Sequence, residues 1–323
     1  DGGRGPIPRS PRFLDFTERH DPAPDLAAAL ADDPPRIASG HFYDPLGARL
    51  FEAITMLPEY GLTRAEAGIF ERHGSEMAEA ARARLGDRFQ LVDLGAGSCL
   101  KAEGLMQLLK PSRYVAIDIS AEFLKESLAR VQARFPDLET VGVGMDFAER
   151  FDLPGDLQDR PTLYFYPGSS IGNFDAEGAS AFLKRLRKAA PRSAMLIGCD
   201  LVRDPAAMVK AYDDAAGVTA AFNRNILANV NRLLGSDFAP ERWRHVALWN
   251  ADHSRIEMHL EADSDQHVTW PGGERRFGAG ERIRTEISTK WTAERIRALL
   301  AGAGFADARL WIDADSAFAV ALG

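Results

Sequence analysis

Residues 90–97 read Gln-Leu-Val-Asp-Leu-Gly-Ala-Gly, a short apolar run that ends in two glycines separated by one residue. An apolar run of this length, closed by glycine, predicts a buried β-strand followed by a tight turn. Further apolar runs and helical segments then alternate, with predicted strands at 114–117, 140–144, 162–166 and 194–199 and predicted helices at 101–109, 121–135 and 176–189. This alternation predicts an α/β fold whose parallel sheet is covered by helices on both faces.

The strand–helix alternation stops near residue 200. Residues 205–234 predict one long helix, because apolar side chains recur at helical spacing between Pro205 and Gly235. Two antiparallel hairpins are predicted after this helix, from 245–249 paired with 256–260 and from 268–270 paired with 274–277. This part of the chain is therefore predicted to form α+β structure.

The patterns divide the chain into a first domain and an insertion. Residues 1–199 form the first domain, in which 1–40 are an arm with a short helix at 25–31 and 41–83 are helical. A second, smaller α+β domain of residues 200–290 is inserted before the C-terminal strands. After a strand at 283–291, residues 291–323 are expected to return to the first sheet through a helix at 293–301 and a strand at 318–322.

Composition limits the classes of function. The net charge of −8 argues against a nucleic-acid-binding surface. No apolar run approaches the length of a membrane-spanning helix, and the start, Asp1 to Pro6, has no hydrophobic stretch that would indicate a secretory signal. Cys99 and Cys199 stand 100 residues apart, which predicts free thiols and a cytoplasmic location. The seven histidines form no metal pattern, so no metal is expected.

Three predicted strand ends carry groups suited to a cofactor. Gly95 would let the backbone approach a ligand, and Asp118 lies about 20 residues further on, where a carboxylate meets ribose hydroxyls in dinucleotide-binding folds. Asp146 and Phe147 follow the third strand, where an acid beside an aromatic ring can recognise adenine. Each feature alone has a structural explanation, as a tight turn or a helix cap, but together they favour a cofactor site.

The residue at position 100 separates two cofactor hypotheses. A dinucleotide fingerprint needs a third glycine three residues after Gly97, and Leu100 stands there instead. S-adenosylmethionine has no phosphate and does not need that close packing. We therefore rank a methyltransferase above a nicotinamide-dependent dehydrogenase, and a binding protein without activity remains a third hypothesis.

Several longer stretches resemble the histidine Nα-methyltransferases of ergothioneine biosynthesis. The longest is residues 210–225, Lys-Ala-Tyr-Asp-Asp-Ala-Ala-Gly-Val-Thr-Ala-Ala-Phe-Asn-Arg-Asn, and the others are 41–44, 57–60, 168–173, 255–258 and 285–288. The resemblance implies a Rossmann-like class I methyltransferase sheet. It also implies S-adenosylmethionine as the methyl donor, S-adenosylhomocysteine as its product, and free L-histidine as the acceptor of three methyl groups, which gives hercynine.

The resemblance also implies site residues. Those expected to contact the cofactor are Gly95, Lys101, Asp118, Asp146 and Phe147, with Tyr43 nearby. Those expected to contact the substrate are Tyr60, Asn173, Tyr212, Glu286 and Ser288. The glycine loop at 97–102 departs from the familiar pattern in all but Lys101, and Ile287 separates Glu286 from Ser288, so an amino acid other than histidine stays open as the substrate.

The chemistry of these side chains suggests which part of the substrate each would bind. Asn173 and Tyr212 have neutral donors suited to a carboxylate, and Tyr60 could orient the amine. Glu286 and Ser288 alternate along a strand, so they project from one face and could bind the two imidazole nitrogens.

Structural roles compete with these assignments. Tyr212 could instead pack in the core of its helix, Asn173 could cap a helix, and the face of Glu286 and Ser288 could be solvated. Because Asn173 belongs to the first domain and Tyr212 to the second, the substrate site is expected between them. The partner is then a small molecule, and a monomer is the expected state.

Overall fold

The apolar runs form one eight-stranded sheet in the computed structural model, which describes residues 9–17, 21–148, 151–315 and 317–323. Its strands are β1 (Arg12–Asp15), β2 (Gln90–Leu94), β3 (Arg113–Asp118), β4 (Glu139–Gly144), β5 (Thr162–Tyr166), β6 (Ser193–Asp200), β12 (Arg309–Ile312) and β13 (Phe318–Leu322). They lie in the order β1-β4-β3-β2-β5-β6-β13-β12. The strands from β1 to β6 run parallel, and β13 pairs antiparallel with β6.

The strands bury side chains on both faces. Leu91 and Phe165 belong to one apolar core, whereas the neighbouring residues Val92 and Tyr164 belong to the core on the other face. Every residue of β2, β5 and β13 is buried, as expected of strands covered on both sides. The α/β fold with a mainly parallel sheet is confirmed.

Nine α-helices are found among the described residues. They are α1 (Ala23–Ala31), α2 (Pro45–Thr55), α3 (Leu62–Leu85), α4 (Leu100–Leu109), α5 (Ala121–Arg134), α6 (Ala176–Ala189), α7 (Pro205–Lys210), α8 (Val218–Leu234) and α9 (Ala293–Gly302). None of the helices in the described ranges is both long and apolar enough to cross a bilayer. The amino terminus for which no signal was predicted, residues 1–8, lies outside the described residues.

Five antiparallel strands follow α8. They are β7 (Trp243–Asn250), β8 (Arg255–Ala262), β9 (Gln266–Trp270), β10 (Gly273–Phe277) and β11 (Arg282–Thr289). β9 and β10 form a hairpin, and β11, β8 and β7 form a three-stranded sheet in that order. Both predicted hairpins are therefore confirmed.

The prediction of one long helix over residues 205–234 is wrong. α7 ends at Lys210 and α8 begins at Val218, because Gly217 adopts a left-handed backbone with φ of +75°. The carboxylate of Asp214 accepts the amides of Val218 and Thr219 at 2.9 and 2.8 Å and caps α8. A side-chain carboxylate that accepts hydrogen bonds from nearby backbone amides favours a new helix start over a continuous helix. Tyr212 therefore lies in the linker between two helices, and not on an apolar helix face.

Smaller differences concern element ends and edge strands. The edge strands β1 and β12 were not predicted, since their mixed polarity gives little periodic signal. The predicted strand over 283–291 ends earlier, at Thr289, and Trp291 makes only an isolated bridge with Leu201. The helical segment predicted at 41–83 is two helices, α2 and α3, preceded by a short 3-10 turn at Ser39–Phe42.

Candidate active site

The carboxyl ends of β2 and β3 meet at Asp118. Its two carboxylate oxygens accept the backbone amides of Gly97 and Ser120, both at 2.9 Å. Burial raises the pKa of Asp118, and the hydrogen bonds from these amides oppose that rise. The side chain is thus oriented at the turn after β2, where Gly95 and Gly97 both have positive φ.

Phe147 lies against the same turn. A Cβ added at Gly95 would stand in ordinary contact with the ring, 3.6 Å from Cζ of Phe147, and it is the positive φ of +69° that favours glycine here. The ring packs edge-on against Tyr166, with centroids 6.0 Å apart. Asp146 is exposed beside it, and its Oδ1 accepts the amide of Ala148 at 3.2 Å. The sheet edge therefore combines a glycine turn, two acids and an aromatic ring.

Lys101 is held by a buried carboxylate that sequence reasoning missed. Its Nζ lies 2.7 Å from Oε2 of Glu66, and the other oxygen of Glu66 accepts the amide of Gly168 at 2.7 Å. Glu66 is only 1% exposed. The available signal was its position on α3, where it shares the apolar face of Leu62 and Ile69 at helical spacing.

A cavity next to this edge brings together six predicted side chains from distant parts of the chain. They are Tyr43, Tyr60, Asn173, Tyr212, Glu286 and Ser288. The cavity is also lined by residues that the sequence did not single out, among them Phe51, Thr219 and Phe222. It lies where loops of the eight-stranded sheet face the α7–α8 linker and β11.

Loops supply most of the polar groups. Tyr43 follows the short 3-10 turn, and Asn173 ends another 3-10 turn after β5. Tyr60 comes just before α3, and its ring meets that of Tyr212 at an interplanar angle of 72°. Burial raises the pKa of all three tyrosines far above the ordinary value, so these side chains are neutral phenols.

A β-bulge in β11 decides which face carries Glu286. The register of β11 against β8 shifts between Arg284 and Glu286, which leaves Thr285 as an extra residue. Ile283 pairs with Leu260, and Glu286 with Met258. Since Met258 and Leu260 are two residues apart on β8, Glu286 shares the face of Ile283. Without the bulge it would point to the opposite face.

Burial makes the charged form of Glu286 unfavourable. It has no hydrogen-bond partner among the described residues, and burial raises its pKa to about 7, while the charge of Lys290 opposes that rise. Ser288, on the same face, lies 2.8 Å from the hydroxyl of Tyr212. A half-buried carboxylate and a hydroxyl therefore stand side by side in one wall of the cavity.

Lys290 lies behind this wall and is fully buried. Its Nζ donates to the hydroxyl oxygens of Tyr212 and Ser288 at 2.8 and 3.0 Å, and lies 2.7 Å from Oδ2 of Asp200. Sequence reasoning missed this lysine as well. The signal was its place two residues after Ser288, which puts it on the same side of an extended chain.

No group of three or more His, Cys, Asp or Glu side chains is placed to bind a metal ion within the described ranges. The sheet order with an antiparallel β13, together with the glycine turn after β2 and the acid after β3, defines a class I S-adenosylmethionine-dependent methyltransferase. Residues 23–323 match the family model described as histidine-specific methyltransferase, SAM-dependent. The chain belongs to this family.

Individual relatives agree with the family match. The histidine N-alpha-methyltransferase of Mycolicibacterium smegmatis is 39% identical over 92% of this chain and 93% of that protein. Its counterpart in Mycobacterium tuberculosis is 38% identical over the same shares. Ergothioneine biosynthesis protein 1 of Neurospora crassa is 31% identical over 87% of this chain, and the match covers 32% of that protein.

The raised pKa of Glu286 predicts a pH-dependent effect of Glu286→Gln on stability. At pH 8 the carboxylate is charged in both states, and its burial penalises the folded state. At pH 5 the folded protein keeps it protonated, so most of that penalty is absent. Relative to wild type, the neutral glutamine should therefore stabilise the ligand-free protein by roughly 2 kcal/mol more at pH 8 than at pH 5.

Urea unfolding at both pH values measures this difference. The solvent-exposed Glu79→Gln is the matched control and should show no such gain. An equal effect of Glu286→Gln at the two pH values would contradict the assigned burial.

Proposed function

We propose that this chain transfers methyl groups from S-adenosylmethionine to the α-amino group of free L-histidine, forming hercynine in ergothioneine biosynthesis. The observation that carries the proposal is the pairing of Glu286 and Ser288 in the cavity wall, within one enclosure with Tyr60, Asn173 and Tyr212. A carboxyl group and a hydroxyl can bond both nitrogens of an imidazole ring. The names of the bacterial and fungal relatives support the same substrate and pathway.

The residues at the sheet edge fit S-adenosylmethionine. Asp118 is already oriented by two backbone amides, and the glycine turn at Gly95 lies beside Phe147. We assign Asp118 to the ribose hydroxyls and Asp146 with Phe147 to the adenine. Gly95 and Lys101 complete the cofactor contacts, with Tyr43 near the transferred methyl group. When bound, the cofactor supplies an electrophilic methyl group on a sulfonium, and S-adenosylhomocysteine is the product.

The cavity residues bind and orient the acceptor. The neutral hydroxyl of Tyr212 and the amide of Asn173 donate to the substrate carboxylate, while the oxygen of Tyr60 accepts from the amine. The amine must lose its proton to expose a lone pair, and the neutral phenols of the cavity favour an uncharged amine. Positioning and removal of water supply most of the rate in such a displacement.

Aromatic packing keeps the reaction space dry. The ring of Phe51 meets those of Tyr43, Tyr60 and Phe222 with centroid distances of 5.7, 6.4 and 6.0 Å. All four rings line the cavity.

We also propose the kind of partner, the oligomeric state and the location of the enzyme. A free amino acid is the partner, with neither nucleic acid nor membrane involved, and a monomer carries all the assigned residues. The buried free thiols Cys99 and Cys199 fit the reducing conditions of a cytoplasmic location. Membership of a methyltransferase family excludes the dehydrogenase hypothesis. Methylation of a mixture of free amino acids would show whether an amino acid other than histidine is the acceptor.

Asp118→Ala should weaken cofactor binding without unfolding the protein. Removing hydrogen bonds to a charged acceptor should lower the affinity for S-adenosylmethionine about tenfold to a hundredfold. Titration calorimetry measures the affinity, and circular dichroism checks the fold. The exposed Asp137→Ala is the control and should bind like wild type. Unchanged affinity in Asp118→Ala would remove the ribose assignment.

Glu286→Ala should change the choice of substrate. Mass spectrometry of a mixture of free amino acids incubated with S-adenosylmethionine should show the wild-type enzyme adding three methyl groups to histidine. Losing the charge-assisted bond should lower kcat/KM for histidine about tenfold to a hundredfold. The loss for phenylalanine should be much smaller, because its ring does not use that carboxylate.

Two results would contradict the specificity assignment. Preferred methylation of another amino acid by the wild type would overturn histidine as the substrate. An equal loss for histidine and phenylalanine in Glu286→Ala would assign Glu286 to the amine or to folding instead.

A further inference from the structure

Lys290 joins the two hydroxyl groups of the cavity wall into a triangle. Its Nζ donates to the oxygens of Tyr212 and Ser288, and these oxygens lie 2.8 Å apart. The third neighbour of the ammonium is Asp200, which is 1% exposed and also paired with Arg203 at 2.6 Å. The ammonium also lies over the Tyr212 ring, 4.6 Å from its centroid. Both oxygens are therefore held in fixed positions by one cation.

The triangle restricts where the hydroxyl protons point. Two oxygens 2.8 Å apart need a proton between them, and either hydroxyl can supply it. The ammonium has no acceptor, so it only donates to both oxygens. If Tyr212 donates to Ser288, both lone pairs of Ser288 are used, and Ser288 faces the cavity as a donor. If Ser288 donates to Tyr212, Tyr212 has its proton free, and Ser288 keeps one free lone pair.

Binding of a carboxylate selects the second arrangement. A carboxylate only accepts, so Tyr212 can bond it only by donating its proton. Ser288 must then supply the proton between the two oxygens. Its remaining contact with the cavity is as an acceptor, and the substrate side chain must meet it with an N–H.

We propose that Lys290 is a positioning residue that couples recognition of the substrate carboxylate by Tyr212 to reading of a side-chain N–H by Ser288. This inference rests on the proposed function, because it takes an α-amino acid with an imidazole ring as the ligand. Glu286 then shares a proton with the other ring nitrogen, either as a carboxylate beside an imidazolium or as a carboxylic acid beside a neutral imidazole. A ring without an N–H leaves Ser288 unpaired and is rejected.

The first test compares histidine with thiazol-4-ylalanine, whose ring has a nitrogen acceptor but no N–H. Methylation of both gives the ratio of their kcat/KM values, which does not depend on the fraction of active enzyme. Lys290→Met keeps a chain of similar length and removes the ammonium. It should lower the preference for histidine about tenfold, because Ser288 can then turn away from Tyr212 and donate to the thiazole nitrogen.

Arg203→Met is the matched control. Arg203 pairs with the same Asp200 but donates to neither cavity hydroxyl. A general effect of the charge cluster on folding would appear in both variants, whereas the change in preference should appear in Lys290→Met alone. An unchanged preference in Lys290→Met, or an equal change in Arg203→Met, would overturn the proposal.

Lys290→Met leaves a buried carboxylate with one partner fewer, which can prevent folding. The double variant Asp200→Asn with Lys290→Met removes both charges and should show the same lowered preference. A wild-type measurement decides the question if neither variant folds. Calorimetry measures the affinities of two pairs of ligands. The first pair is histidine and thiazol-4-ylalanine. The second pair is histamine and 2-(thiazol-4-yl)ethylamine, the corresponding amines without a carboxylate.

Without a carboxylate, Tyr212 is free to donate to Ser288, and Ser288 can donate to either ring. The preference for imidazole over thiazole should therefore be about tenfold smaller among the two amines than among the two amino acids. Equal preferences in the two pairs would overturn the coupling. Failure of wild type to methylate histidine would instead overturn the proposed function, so the two failures are distinguishable.

Discussion

The buried ammonium of Lys290 is the constraint on which the site depends. A fully buried charge must be paired, and its partners come from three separate parts of the chain. Asp200 ends β6 in the large sheet, Tyr212 lies in the linker between α7 and α8, and Ser288 belongs to β11. The pairing therefore fixes the small sheet against the large one at the place where the cavity forms.

Two irregularities in the backbone also orient side chains of the cavity. The break between α7 and α8 brings Tyr212 out of a helix and over the ammonium. The bulge at Thr285 turns Glu286 to the face that already carries Ile283, and Thr285 itself donates to Oδ1 of Asn223 at 2.6 Å. Both features interrupt regular structure where a side chain must be aimed, which is a common use of bulges near active sites.

Local patterns in the sequence predict the sheet and the sheet-edge residues well. The buried strands are mainly apolar, and Asp118 ends its strand at a spacing from the glycine turn that the chain alone makes visible. The period of two along β11 predicts that Glu286 and Ser288 share a face, but not which face, because the bulge depends on pairing with β8. The helix break at Gly217 was missed, because apolar spacing continues on both sides of it.

The buried ionic contacts could not be predicted in this way. Lys290 and Tyr212 are 78 positions apart, and Glu66 and Gly168 are 102 positions apart. No local pattern states which distant group will neutralise a buried charge. A lysine or glutamate on an apolar face indicates that some partner exists, and only the packing of the sheets identifies it.

A crystal structure with S-adenosylhomocysteine and L-histidine would show how histidine lies in the cavity. The imidazole should lie between Glu286 and Ser288, with one ring nitrogen within about 3 Å of each oxygen. The carboxylate should meet Tyr212 and Asn173, with the amine beside Tyr60 and facing the sulfur of the cofactor product. A reversed ligand, with its ring at Tyr60 and its carboxylate away from Tyr212, would overturn the roles assigned to these side chains.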